Sequence, residues 1–157
     1  MKLSKHIWVV LIYACQPWVP ESLPVTVEID STMPEVFITN SKNAFTTWNG
    51  MSGVEVFKVE VKKLSKDGCN KIQLTTAEYD IKKKYGSTFY TYCGAEIYLA
   101  KEIPVAGIQV VTEHEAGHAI GIFDHDPDPS SIMYKNWLGN GAQLFTPAML
   151  NYVREGF

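Results

Sequence analysis

The sequence predicts an α+β domain, and three observations predict it. Several stretches alternate apolar and polar residues with period two. Others carry apolar residues three or four apart, and a long run rich in proline, aspartate, glycine and asparagine separates the last two helical patterns. With 157 residues there is room for one ordinary domain with a sizeable core. Apolar residues make up 46% and charged residues 20%, the balance of a folded chain rather than a disordered one.

The elements follow in order. Residues 25–29 read Val-Thr-Val-Glu-Ile and alternate as a first strand. Pro34 opens a segment in which Ala44, Phe45 and Trp48 have helical spacing, so a helix is expected over about 41–48, ended by Asn49-Gly50. Val54, Val56, Val59 and Val61 flank charged residues and predict a strand over 54–61. Lys66-Asp67-Gly68 supplies a turn from which residues 72–76 return as the next strand. Residues 76–86 are polar and ambiguous, while 88–92 and 95–100 are β-rich, the latter as Ala-Glu-Ile-Tyr-Leu-Ala. Pro104 and Gly107 precede a helix over about 108–121 whose apolar members suit burial on much of its circumference. Residues 123–143 read as loop. Thr146-Pro147 then caps a final helix with Met149, Leu150 and Val153 on one face.

The chain begins like an exported one. Lys2, Lys5 and His6 make a positive head, followed by an apolar run over residues 7–14 too brief to span a bilayer. Ile12-Tyr13-Ala14-Cys15 resembles a bacterial lipobox. The expectation is therefore a signal peptide over residues 1–15 with Cys15 lipidated, simple secretion being the alternative. Pro17, Pro20 and Pro24 mark residues 16–24 as a linker, which leaves 25–157 as the folded domain. Lipid at Cys15 would attach the protein to a membrane at the cell surface. Only about ten residues separate Cys15 from the first strand, at a reach of roughly 3.3–3.6 Å each, so no inhibitory pro-segment is expected. Cys69 and Cys93 remain either as a disulfide pair in an oxidising compartment or as two buried thiols. Net charge is −3, and no basic run is interleaved with aromatics, so no nucleic-acid partner is expected. The lysines at 62–63 and 82–84 read as solvated faces or turns.

Apart from His6, every histidine lies in the stretch His114-Glu115-Ala116-Gly117-His118-Ala119-Ile120-Gly121-Ile122-Phe123-Asp124-His125. His114 and His118 are four apart, so on a helix they share a face and can offer imidazole nitrogens to one metal. Glu115 lies beside them, where a carboxylate can act as general base toward water. Gly121 lets the chain leave the helix and bring Asp124 or His125 back as third ligand. Three protein ligands with one open position is the arrangement of catalytic zinc, whereas structural sites are closed by four ligands and favour cysteine. Zn2+ is the expected cofactor, and hydrolysis of a peptide or protein substrate the expected chemistry. A zinc class that takes a distant glutamate as third ligand would have only Glu155 to use, close to the chain end.

His-Glu-x-x-His-x-x-Gly with a third donor, followed by Ser131-Ile132-Met133-Tyr134, resembles the metzincin zinc peptidases and their Met-turn. Residues 125–134 are most similar to the matrixin branch, in particular to bacterial matrixin-like proteins. The resemblance is specific over residues 114–134 and covers the rest only as an element pattern. It implies a twisted, mostly parallel sheet with two helices in an upper lobe, and a small lower lobe holding the Met-turn and a C-terminal helix. It also implies a monomeric zinc metalloendopeptidase with Glu115 as catalytic base and Met133 as the thioether floor beneath the metal. By the same analogy residues 95–100 would form the cleft edge and residues 135–141 a wall of the specificity pocket.

One departure concerns the third ligand. The family position, three residues after the glycine, is Asp124, as in the snapalysin-like branch, and a carboxylate oxygen is a legitimate zinc donor. His125 lies one residue later, but its distance to Met133 matches the matrixin pattern and imidazole is the commoner ligand. His125 is favoured and Asp124 is the alternative. Branches that use a Met-turn tyrosine as ligand place it where Lys135 stands, so no tyrosine ligand is expected. The rival reading is a zinc-binding scaffold on the same fold that cleaves nothing; a zinc hydrolase acting on other bonds is a third.

Overall fold

The computed structural model describes residues 19–78, 84–136 and 143–156. The expected signal peptide, Cys15 and the first part of the linker lie outside them. Among the described residues the chain is a small α+β protein with one five-stranded sheet and three helices. The strands are β1 (Val25–Asp30), β2 (Phe57–Lys62), β3 (Lys71–Ala77), β4 (Gly86–Tyr90) and β5 (Ala95–Ala100). The helices are α1 (Glu35–Ser52), α2 (Val105–Ala119) and α3 (Pro147–Glu155). No described helix is long and apolar enough to cross a membrane.

The sheet order is β2-β1-β3-β5-β4, parallel throughout except for β4, which runs antiparallel to β5. Period-two alternation places Val25, Val27, Ile29, Ile72, Leu74, Ile97 and Leu99 on one face, where they meet Phe37, Phe45 and Trp48 of α1 and Ile108, Val111 and Ala116 of α2. Trp48 and Phe45 are fully buried, and the Trp48 indole nitrogen donates to the Glu113 carbonyl at 3.0 Å. That bond satisfies the one polar atom of the largest core side chain and ties α1 to α2.

Several boundaries differ from expectation. Helix α1 runs over 35–52 rather than 41–48. Its buried stripe is Phe37, Ile38, Ser41, Ala44, Phe45, Trp48 and Ser52, and the two serines interrupt the apolar pattern that would have announced the full length. Ser41 instead meets the Thr112 hydroxyl at 3.5 Å. Asn49 does not end the helix. Its side chain accepts from the Val56 and Phe57 amides at 2.8 and 2.9 Å and donates to the Phe57 carbonyl, fixing where β2 begins. Residues 54–56 are consequently connection, and the alternation of Val54 and Val56 breaks phase at Phe57, which takes the core position. Helix α2 begins at Val105 because Pro104 occupies the cap position before it.

Strands β2 and β3 were expected to be neighbours across a turn, but β1 lies between them. The connection crosses the outer, polar face of β1, held there by the fully buried Glu28. That carboxylate accepts from the Ser65 amide and hydroxyl at 3.1 and 2.7 Å and from Gln73 at 2.9 Å. Lys62 and Lys71 add ion pairs at 3.1 and 3.2 Å. These partners hold the Glu28 carboxyl well below the usual carboxylate range, although burial by itself would raise it. Cys69 and Cys93 form a disulfide that joins this connection to the β4–β5 turn.

Candidate metal centre

Helix α2 carries His114 and His118 one turn apart, and their rings meet edge to face. The helix ends because Gly121 adopts φ +100°, a conformation that side-chain-bearing residues rarely take, and its amide bonds the His118 carbonyl at 2.8 Å. The reversed chain brings His125 back over the helix, stacked on His114 with centroids 5.2 Å apart. Ligand atoms of His114, His118 and His125 all lie within 4.8 Å of one another, as a group that could hold a metal ion. Asp124 is exposed and does not belong to that group.

The tautomers follow from the partners. His114 Nδ1 lies 2.8 Å from the Ile132 carbonyl and His118 Nδ1 lies 2.7 Å from the Ile122 carbonyl. A carbonyl only accepts, so both Nδ1 atoms carry the proton and both Nε2 atoms present a lone pair. Yet His118 Nε2 is 3.1 Å from His114 Nε2 and 3.3 Å from His125 Nε2. The facing lone pairs of His114 and His118 repel unless a cation lies between them. Tetrahedral ligands at a zinc–nitrogen distance of 2.0–2.1 Å stand about 3.3–3.4 Å apart, so the donor set fits such an ion in kind and in spacing. Burial and the neighbouring imidazoles push His114 down to about 4, and burial lowers His118 as well, which keeps both rings neutral at ordinary pH.

Ser131, Ile132, Met133 and Tyr134 form a tight turn beneath α2, with the Tyr134 amide bonded to the Ser131 carbonyl. Ile132 supplies the carbonyl that orients His114. Met133 is 1% exposed and fills the space that Gly117 leaves: a Cβ on Gly117 would stand 2.5 Å from the Met133 sulfur. Met149 of α3 packs on the same turn, whose small core is separate from the main one. Thr146 caps α3 through the Met149 amide, and Arg154 donates to the Ser52 carbonyl at the end of α1.

Glu115 projects into the same cleft and is 6% exposed. The Thr88 hydroxyl of β4 lies 2.7 Å from its Oε2 and 3.0 Å from its backbone carbonyl. Burial pushes the Glu115 carboxyl up to about 7, opposed by that hydroxyl and by Lys84. Tyr90, also on β4, donates to the His118 carbonyl at 2.7 Å, and burial pushes its phenol up to about 12.

The cleft has a volume of about 610 Å³. One wall is β4 and the residues before it, the floor is His114, Glu115 and His118, and Tyr134, Lys135, Asn136 and Gln143 lie opposite. The wall corrects an expectation. Residues 95–100, taken as the cleft edge, pair on both sides, with β3 and with β4, so β5 has no edge to offer. The outermost strand on that side of the sheet is β4, which pairs antiparallel with β5 and covers it. Lys135 and Asn136 border the cleft as expected, while residues 137–141 of the predicted wall lie outside the described residues. Sequence reasoning missed Gly86, Thr88 and Tyr90, alternate residues of one strand. Thr88 and Tyr90 lay in a stretch expected to be β-rich, while Gly86 closed the polar stretch whose structure was ambiguous. No protein-family description matches the chain, and a search of curated proteins finds no match either.

Proposed function

We propose that this chain is a zinc-dependent endopeptidase of metzincin type, with His114, His118 and His125 as metal ligands and Glu115 as the general base. The single observation that carries the reading is the convergence of three ε2 nitrogens at 3.1 and 3.3 Å beside a buried carboxylate in an open cleft. An all-imidazole set of three suits a borderline ion that keeps a position open for substrate. Bound there, zinc would supply Lewis acidity toward a scissile carbonyl and lower the pKa of water.

The rest is done by the chain's own groups. The Ile132 and Ile122 carbonyls hold the two helical imidazoles in the ligating tautomer. Glu115, whose affinity for a proton is raised by burial, accepts one from the attacking water and returns it to the leaving amine. The edge of β4 turned away from β5, unpaired among the described residues, offers main-chain groups to an extended peptide lying along the cleft. Glu115→Ala tests the reading: hydrolysis of a denatured protein substrate falls by about 10²–10⁴-fold while zinc still binds one to one. A wild-type protein that binds zinc and a peptide yet cleaves nothing would leave the scaffold reading standing instead.

The Cys69–Cys93 disulfide supports an exported protein in an oxidising compartment, and with it the lipoprotein reading of Cys15. Incorporation of labelled palmitate in wild type, and none in Cys15→Ser, is the expected outcome.

A further inference from the structure

The roles assigned to the cleft leave Thr88 without one, although it makes the closest polar contact to Glu115. Thr88 and Gly86 are alternate residues of β4 and therefore point the same way, toward α2. Together they bracket the carboxylate. A Cβ on Gly86 would stand 3.0 Å from both Cγ and Oε1 of Glu115, so the absent side chain is what lets the strand lie this close. The Thr88 hydroxyl has one proton and two acceptors within reach, Glu115 Oε2 at 2.7 Å and the Glu115 carbonyl at 3.0 Å. The shorter contact falls at the charge-assisted distance for a hydroxyl donating to a carboxylate, so the proton goes to Oε2.

That choice has a consequence for the metal. Glu115 directly follows a ligand, and a carboxylate oxygen is itself a competent zinc donor. If both of its oxygens were free to turn, one could occupy the position that a substrate needs. We infer that Thr88 is a positioning residue for Glu115: its hydroxyl ties down Oε2, keeps that oxygen away from the metal, and leaves Oε1 as the oxygen that exchanges a proton with water. The inference rests on the peptidase reading for its catalytic part and on the contact alone for the rest.

The test uses zinc- and cobalt(II)-loaded wild type, Thr88→Ser and Thr88→Val. Valine keeps the volume and removes the hydroxyl; serine keeps the hydroxyl. With a quenched peptide substrate, Thr88→Val is expected to lower kcat by about 10–100-fold with KM changed less than about twofold, and Thr88→Ser to recover most of the loss. In the cobalt form the visible bands of wild type and Thr88→Ser coincide. Those of Thr88→Val shift as Glu115 enters the coordination sphere, and adding Glu115→Gln returns them. Unchanged kcat and bands in Thr88→Val overturn the inference, as does equal loss in the serine and valine variants. A wild type that cleaves no peptide overturns the peptidase reading, and the cobalt bands then still decide whether Thr88 restrains Glu115.

Discussion

Glu28 and Glu115 are both buried carboxylates, and they ionise in opposite directions. Glu28 lies on the outer face of the sheet with two lysines, a serine that donates twice and a glutamine around it, and its carboxyl is held low. Glu115 lies in the cleft with one hydroxyl on it and is pushed up to about 7. Burial penalises the charged form in both, so the partners decide the outcome. The complete set around Glu28 does structural work by holding the β2–β3 connection across β1. Among the described residues the set around Glu115 is incomplete and, like the facing nitrogens of the histidines, leaves capacity for something further. The difference teaches that a buried charge is read for structure or chemistry by whether its neighbours finish its hydrogen bonding.

Four experiments break or sharpen this contrast, from the largest expected effect to the smallest. Zinc at about a thousand times its dissociation constant should stabilise the protein by about 4 kcal/mol, seen as a higher Tm that a chelator reverses. His118→Ala should abolish that gain, whereas changes at Glu28 should leave its size intact. Next, Glu28→Ala leaves the Ser65 and Gln73 donors without their acceptor and two partly exposed lysines without their partner, and should cost about 1–3 kcal/mol in urea unfolding, with zinc stoichiometry unchanged. A loss below about 0.5 kcal/mol there would mean that the Glu28 cluster is decorative.

The third experiment uses pH. The folded Glu28 carboxyl sits below its unfolded value, so its contribution is full above about pH 4.5 and is lost as pH falls below that. Glu115 has the opposite sign. Its folded value is raised to about 7, so its ionisation costs metal-free stability progressively from about pH 4.5 to 7 and fully above. Metal-free Glu115→Gln should therefore gain on the order of 1–3 kcal/mol at pH 8 and nothing at pH 4. Equal stability changes at both values would remove the distinction between the two carboxylates. The smallest effect is expected at Asp124, beside the proposed third ligand: Asp124→Asn should shift stability by less than about 0.5 kcal/mol and leave zinc affinity unaltered, while His125→Asn weakens binding. The reverse result would make Asp124 the ligand.

Much of the site was legible because its signals are local. The four-residue spacing of His114 and His118 places them on one helical face whatever surrounds the helix. The glycine at 121 marks the reversal that returns His125. Thr146-Pro147 starts α3 as its cap chemistry requires. The errors fell where a residue answers to distant neighbours. Ser41 and Ser52 are buried in α1 because other elements cover them, which no window around residue 41 reveals. The order of strands was equally hidden, since residues 88–92 and 95–100 look alike as β segments.

By itself the sequence determined which residues are able to bind a metal, the helix that carries two of them, and the alternation that gives the sheet one apolar face. These depend on backbone periods of 3.6 and 2 and on the conformational range of single residues. Only the tertiary structure decided that β4 rather than β5 is the outermost strand, that Ile132 orients His114, and that Thr88 holds Glu115. Those are pairings between segments 18 to 27 residues apart or set by sheet order. They are chosen by which long-range contacts together bury the most apolar surface and satisfy the most polar groups, a comparison that no single stretch of chain contains.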